Sequence, residues 1–179
     1  MMVLEQAAKL SDEIDVRFGA LVHDLGKETT NKAELPRHPG HEARSVKLVR
    51  KLAMRLPVPN GCRDIGCLVA EFHTHCHRAA ELRASTVLKI LNSTDAFRRP
   101  QRFEKFLLAC EADARGRAGL ENRDYPQVDY LRAAFSTASA VDIDDLKSGD
   151  LDGAAIGNEI GKRRLKAIRE FMKSYVPPK

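Results

Sequence analysis

The amino-acid sequence predicts an all-α fold, and three observations support this prediction. Apolar residues recur at intervals of three and four along almost every segment, which is the period of an amphipathic helix. No two segments alternate polar and apolar residues in the way that paired strands do. Prolines and glycines fall between the periodic segments, as in "LPVPNG" at 56–61, where they mark loops.

Each predicted helix is placed by an apolar stripe or by an end signal. The predicted helices are residues 2–10, 14–25, 40–55, 62–73, 79–95, 101–114, 127–138 and 160–174. The apolar stripe of the second helix is Phe18, Leu21, Val22 and Leu25. That of the third helix is Val46, Val49, Leu52 and Ala53, and that of the fourth is Ile65, Leu68, Val69 and Phe72. In the fifth helix, Leu88 and Leu91 share a face with Asp95. Pro100 suits the first turn of the sixth, and Leu165, Ile168 and Met172 share a face of the last.

Composition indicates an ordinary globular protein of the cytoplasm. Of the 179 residues, 43% are hydrophobic and 31% are charged, which excludes a disordered or membrane-embedded chain. No apolar run approaches the ~20 residues that a membrane-spanning helix needs, and the N-terminal segment is not organised as a signal peptide. The cysteines form no CxxC pair, so we expect free thiols in a reducing compartment. They are Cys62, Cys67, Cys76 and Cys110.

The histidines are the most informative polar residues, because all six lie between residues 23 and 77. His23 and Asp24 interrupt the apolar stripe where the second helix ends. His41 follows His38 by three residues and points inward, and His73 continues the stripe of the fourth helix. Imidazoles and carboxylates at several helix ends can converge on a divalent cation. Such a cation could activate water and neutralise a phosphate.

Each of these residues also has a purely structural interpretation. A single histidine on an apolar face is usually a hydrogen-bonded core residue, and Asp95 at a helix end is more often a cap or an ion-pair partner.

The basic clusters in the second half of the sequence also have a structural interpretation, since a cluster of cations is usually a solvated helix face. With a net charge of +5, three such clusters also suit the phosphate backbone of RNA. They are Arg98, Arg99 and Arg102; Arg115, Arg117 and Arg123; and the segment 161–173.

Several motifs together resemble a known family. "LVHDLGK" followed by Asp95 in "LNSTDAF" resembles the HD phosphohydrolase superfamily. Further segments are similar to the HD domain of bacterial multifunctional CCA-adding tRNA nucleotidyltransferases, over residues 1 to about 100. They are "VRFGALVHDLGK", "HPGHEARSVKLV", "LVAEFHTHCH" and "RASTVLKILNSTDAFRRPQRF". The later segment "CEADARGRAGLENRDYPQ" is similar to the C-terminal region of that family.

The resemblance implies an HD-domain helical bundle at residues 1–97, with its first helix cut short, and a helical C-terminal extension at 98–179. It implies a module of a protein that adds and repairs the 3′ CCA end of tRNA using CTP and ATP. The module's activities would be phosphatase, 2′-nucleotidase and 2′,3′-cyclic phosphodiesterase. The cofactor would be Ni²⁺ for the phosphatase, with Mg²⁺ also serving the full-length protein. The expected partners are tRNA and nucleotide or RNA-end phosphates, without a membrane, in a monomer or homodimer.

The resemblance also implies roles for particular residues. His23, Asp24 and Asp95 would bind the metal. Lys27 and one of His38, His41 or His73 would contact the phosphate or transfer protons, and the sequence does not rank them. The superfamily pattern H…HD…D places its first histidine on the preceding helix, but residues 1–22 contain none. We therefore expect three ligands of four, weakened metal binding and a site that can be empty.

Nucleotidyltransferase motifs are absent from the sequence, so the chain is expected to be a C-terminal fragment that does not itself add CCA. In its last helix, Arg163, Arg164 and Lys166 would contact the tRNA backbone. Two alternatives remain open at this point. One is a free-standing HD nucleotide phosphatase, and the other is a non-catalytic module for tRNA binding or dimerisation.

Overall fold

The computed structural model describes residues 2–147 and 152–176, and every regular element in these ranges is helical. The all-α prediction is therefore confirmed. The α-helices are α1 (Met2–Leu10), α2 (Ile14–Val22), α3 (His41–Arg55), α4 (Asn60–His77), α5 (Ala84–Ser93), α6 (Pro100–Arg115), α7 (Gln127–Ser139), α8 (Asp144–Lys147) and α9 (Gly153–Ser174). Short 3-10 segments occupy Leu25–Thr29, Lys32–Glu34 and Ala79–Glu81.

One hydrophobic core runs through most of these helices. Helices α2, α4 and α6 pack on one another, α1 covers α2 and α6, and α3 lies against α4. Helix α9 packs against α5 and α7. The core includes buried residues from both sides of the boundary predicted at 97, such as Val16, Val69, Phe106 and Ile168. The division into 1–97 and 98–179 stays a prediction, and residues 148–151 and 177–179 of that extension lie outside the described residues.

Two further expectations concern the interior and the membrane. All four cysteines are free thiols, and three of them are buried. In the ranges that the structure describes, no helix combines the length and the apolar character that crossing a bilayer requires.

The crossing of α2 and α4 depends on a glycine in each helix. A Cβ atom at Gly19 would lie 3.1 Å from side-chain carbons of Ile65 and Val69. A Cβ at Gly66 would lie 3.0 Å from Phe18 and Val22. The absence of these two side chains lets the helix backbones approach closely. The C-terminal end of α2 is thereby brought beside the second half of α4.

Helix α2 ends at Val22, three residues earlier than the apolar stripe predicts, and a 3-10 segment follows. The cause is a tertiary contact at Gly26. Its N–H donates to Ser45 Oγ at 2.8 Å, and a Cβ at this position would collide with the carbonyl oxygen of His41. Arg44 donates to Gly26 O at 3.2 Å and to Thr29 Oγ1 at 2.9 Å. The turn after α2 is thus fastened to the first turns of α3.

Three of the other predicted helices have a limit that differs from the prediction by more than two residues. Helix α4 continues to His77, beyond the predicted end at 73, because its last turn is held by polar contacts that an apolar stripe does not report. The predicted helix 79–95 divides into a 3-10 turn and α5. Helix α9 begins at Gly153 instead of 160, because Asp152 caps it by accepting from Ala155 N at 2.7 Å.

The tight contact at Gly26 predicts that Gly26→Ala is destabilising. The added methyl group would lie 2.6 Å from Ser45 N, so we expect a loss of about 3 kcal/mol in the free energy of unfolding, at the upper end of overpacking costs. The matched control is Gly157→Ala in α9, where nothing lies within 4 Å of the new Cβ. That change should stabilise the protein by about 0.5–1 kcal/mol. Urea unfolding measures both, and equal effects would contradict the contact.

Candidate metal centre

Side chains from four places in the chain meet where α2 ends. Their metal-binding atoms form two groups, and the atoms within each group lie within 4.8 Å of one another. The first group is His23, His73 and Asp113, and the second is Asp24, His41 and His73. Because α2, α3, α4 and α6 each supply or position a member, the cluster is a product of the helix packing. It lies largely buried, with only Asp24 partly exposed.

The three histidines of the cluster are oriented in the same way. In each of His23, His41 and His73, the Nδ1 atom lies 2.8–2.9 Å from a backbone carbonyl oxygen. A carbonyl oxygen only accepts, so each Nδ1 carries a hydrogen and donates it. The acceptors are the carbonyls of Ala20, His38 and Val69. Each ring therefore directs Nε2 into the cluster, which is how proteins usually orient metal-binding histidines.

An ion pair between His23 and two carboxylates holds part of the cluster together. The Nε2 atom of His23 lies 3.1 Å from Asp24 Oδ2 and 3.2 Å from Asp113 Oδ1. Burial lowers the pKa of His23, but the two carboxylates outweigh it and raise the pKa to about 10. Burial also acts to raise the pKa of both Asp24 and Asp113, yet hydrogen bonds to histidines hold each pKa well below its ordinary value. The site thus favours one positive charge between two anionic carboxylates.

Two buried atoms at the centre of the cluster have ion-pair neighbours but make no hydrogen bond of good geometry. They are His23 Nε2 and Asp24 Oδ1. Asp24 Oδ1 faces the Nε2 atoms of His41 and His73, each at 3.4 Å. Buried polar atoms nearly always have hydrogen-bond partners. A cation bound between the Asp24 carboxylate and the surrounding imidazole nitrogens would give these atoms a partner. The residues present therefore fit a divalent metal ion.

The donor set also favours one class of metal. Three imidazole nitrogens with two carboxylates suit first-row transition metals such as Ni²⁺, Mn²⁺, Fe²⁺, Co²⁺ or Zn²⁺. Mg²⁺ prefers sites made only of oxygen atoms, most of them from water or phosphate.

The remaining predicted catalytic residues, Lys27 and His38, lie at the rim. Lys27 forms an ion pair with Asp24, and about a third of its side chain is exposed (35%). The Nδ1 atom of His38 lies 2.9 Å from Thr30 Oγ1. His38 and His41 both line a cleft of about 860 Å³ formed by residues 33–42. Of the four predicted catalytic residues, the structure thus brings His41 and His73 into the cluster itself.

Asp95 is not brought into the cluster among the described residues. Its backbone has a φ of 57° and ends helix α5. Asp95 N donates to Asn92 O and Ala96 N to Leu91 O, the hydrogen-bond pattern of a Schellman motif. Its carboxylate pairs with Arg98 at 2.7 Å and Arg99 at 3.4 Å. These contacts give Asp95 a helix-ending role.

Sequence reasoning missed Asp113, His77 and Tyr125. Asp113 is buried on α6, and its Oδ2 atom lies 2.7 Å from His77 Nε2. The Nδ1 atom of His77 lies 2.7 Å from the hydroxyl of Tyr125. One signal was available, because Asp113 follows Phe106 and Cys110 at helical spacing and so belongs to the buried face of its helix.

The cations predicted to bind nucleic acid have different surroundings. Arg163 makes a bidentate ion pair with Asp145, at 2.6 and 2.7 Å. Arg164 stacks on the ring of Phe97, 3.5 Å from its centroid. Lys166 is exposed.

An all-α bundle with a buried histidine and carboxylate cluster at its helix ends is typical of metal-binding proteins. The sequence profile of the HD domain matches residues 1–100, and the chain therefore belongs to the HD domain family, which falls in the metal-dependent phosphohydrolase superfamily. No solved structure matches the chain.

Similar proteins are named multifunctional CCA protein. The one from Thioalkalivibrio sulfidiphilus is 55% identical over 171 residues, covering 96% of this chain and 42% of that protein. The one from Hahella chejuensis is 48% identical over 99% of this chain and 42% of its own length. The one from Nitrosococcus oceani is 53% identical over 95% and 42%. The chain thus spans about two fifths of the length of these relatives.

The charge balance of the cluster predicts that His23→Gln destabilises the protein when a chelator is present. The substitution leaves Asp24 and Asp113 buried without the cation between them, and breaking a buried pair in this way costs about 3 kcal/mol. The control is His38→Gln, outside the cluster, which should cost about 1 kcal/mol or less. Urea unfolding followed by circular dichroism measures both, and equal losses would count against the charge arrangement.

Proposed function

We propose that this chain is a divalent-metal-dependent phosphohydrolase acting on 2′-phosphate and 2′,3′-cyclic phosphate esters of nucleotides or RNA ends. The observation that supports it best is the pair of adjoining groups of metal-binding atoms, which share His73 and together contain three imidazoles and two carboxylates. Membership of the HD domain family supports the same reaction class. The three imidazoles suit Ni²⁺ among other first-row metals. The family resemblance leads us to propose Ni²⁺ for the phosphatase activity, with Mg²⁺ a cofactor of the longer protein.

In this proposal the metal ligands are His23, Asp24, His41, His73 and Asp113. A bound divalent ion would supply an activated water molecule and neutralise charge on the phosphate. Lys27, partly exposed beside Asp24, offers a cation to the incoming phosphate. His38, on the wall of the cleft that also contains His41, is placed to transfer a proton to or from the ester.

The longer protein is the proposed setting for this activity. The relatives named multifunctional CCA protein are more than twice as long as the aligned segment. We propose that the chain is a module of such a protein, which adds and repairs the 3′ CCA end of tRNA with CTP and ATP. A phosphohydrolase in that setting would remove phosphates that block the 3′ end of RNA.

The metal-ligand assignment is tested by comparing Asp113→Asn with Asp95→Asn. Hydrolysis of 2′,3′-cyclic AMP with Ni²⁺ should fall at least about 100-fold in Asp113→Asn, because even residues that only support a ligand cost up to about that much. Asp95→Asn should retain activity, because asparagine also accepts the left-handed conformation. Activity lost in Asp95→Asn and kept in Asp113→Asn would support the sequence prediction that Asp95 is the ligand. A wild-type chain that does not hydrolyse phosphoesters with any divalent metal would refute the function.

For RNA binding, the exposed face of α9 is better suited than the pair Arg163 and Arg164. Four cations on that face are exposed and lie within about 60° of one another around the helix, over about 16 Å of its length. They are Lys162, Lys166, Arg169 and Lys173. Arg163 and Arg164 already have partners within the protein, and Lys162 pairs with Glu159 at 3.5 Å. We therefore propose that the other three cations of this face, Lys166, Arg169 and Lys173, contact the tRNA backbone.

Salt dependence tests this interface. Replacing Lys166, Arg169 and Lys173 by Gln should flatten the dependence of log Kd for tRNA on log salt, by roughly 0.9 for each duplex phosphate that the protein no longer neutralises. The control replaces Lys47, Arg50 and Lys51 of α3 by Gln, which removes the same charge from another exposed face. Equal slopes for the two triple variants would assign the α9 cations to general electrostatics.

A further inference from the structure

A chain of three buried or half-buried polar side chains leads away from the cluster towards α7. The Oδ2 atom of Asp113 lies 2.7 Å from His77 Nε2. The other nitrogen of that ring, Nδ1, lies 2.7 Å from the hydroxyl of Tyr125. Tyr125 itself is buried, 7% exposed, in the connection between α6 and α7. The chain therefore joins His77, inside the part of the sequence that the family profile matches, to Asp113 and Tyr125, which both lie beyond it.

The chemistry of the three groups fixes the direction of the hydrogen bonds. The carboxylate of Asp113 only accepts, so His77 Nε2 carries a hydrogen and donates it. In a neutral ring, Nδ1 then has a free lone pair and accepts the hydrogen of the Tyr125 hydroxyl. The Sγ atom of Cys76 is a weaker and more distant acceptor, at 3.5 Å. Hydrogens thus run from Tyr125 to His77 to Asp113.

This direction leaves one oxygen of Asp113 free to act in the cluster. Because Oδ2 is engaged by His77, Oδ1 is the atom that faces His23 Nε2, at 3.2 Å. We propose that His77 and Tyr125 are positioning residues that orient Asp113 as a ligand through Oδ1 alone. The proposal rests on the metal site of the proposed function but does not depend on which phosphoester is cleaved.

Independent contacts hold the positioning pair in place. Gln127 Nε2 donates to the carbonyl oxygen of His77 at 3.3 Å and so ties the end of α4 to the start of α7. The rings of His77 and Tyr125 meet edge to face, 5.8 Å apart. The segment between α6 and α7 thereby supports Asp113 through His77. Residues after 100 accordingly take part in metal binding as well as in packing.

Titration of the whole chain with Ni²⁺ by calorimetry, together with the absorption spectrum of the Co²⁺-loaded chain, tests this inference. Tyr125→Phe keeps the ring and removes only the hydroxyl, so its helical content should be unchanged. We expect Ni²⁺ affinity to fall roughly tenfold and the Co²⁺ ligand-field bands to shift. His77→Ala should lower the affinity by about 10–100-fold. His77→Gln, which keeps an N–H donor, should recover part of that loss.

The matched control is Tyr130→Phe, which removes the hydroxyl of another buried tyrosine, on α7. It should bind Ni²⁺ like the wild type. Wild-type affinity and an unshifted Co²⁺ spectrum in Tyr125→Phe would overturn the inference, and so would an equal loss in Tyr130→Phe. A wild-type chain that binds Ni²⁺ but does not hydrolyse phosphoesters would refute the proposed function while the affinity differences still support the positioning role.

Discussion

The structure around the candidate centre depends on one constraint, which is that three imidazole rings each give their Nδ1 hydrogen to a backbone carbonyl. The carbonyls belong to α2, to the turn before α3 and to α4. With Nδ1 engaged, each Nε2 is directed into the buried cluster, where Asp24 and Asp113 lie among the rings. The packing of the helices makes this arrangement possible. Gly19 and Gly66 bring α2 and α4 together, and Gly26 allows the turn after α2 to dock on α3.

Most of the helices could be predicted from the sequence, because each carries its own apolar stripe. The errors fall where a tertiary contact decides the end of a helix. Helix α2 stops early because Gly26 binds Ser45, nineteen residues later in the chain. Helix α4 runs on to His77 because Asp113 and Tyr125 hold its last turn. Neither contact changes the spacing of apolar residues near the helix end, so the sequence pattern does not report it.

The candidate site could be predicted only in part for the same reason. His23, Asp24, His41 and His73 stand out because polar residues interrupt or continue an apolar face. Asp95 shares a helix face with Leu91, and its spacing therefore resembled that of the cluster residues. Its backbone, however, is left-handed and turns the carboxylate towards Arg98 and Arg99. Residue spacing does not reveal such a backbone conformation. On α9, counting charges also did not distinguish Arg163, paired with Asp145, from the exposed Lys166.

The central claim is that the cluster at the end of α2 binds a divalent cation through the Nε2 atoms and the carboxylate of Asp113. Anomalous diffraction at the nickel edge, from crystals of the chain soaked in Ni²⁺, tests it most directly. The account predicts an anomalous peak bonded to His23 Nε2 and flanked by the carboxylates of Asp24 and Asp113. A nickel peak beside Asp95, or none among these histidines, would contradict it.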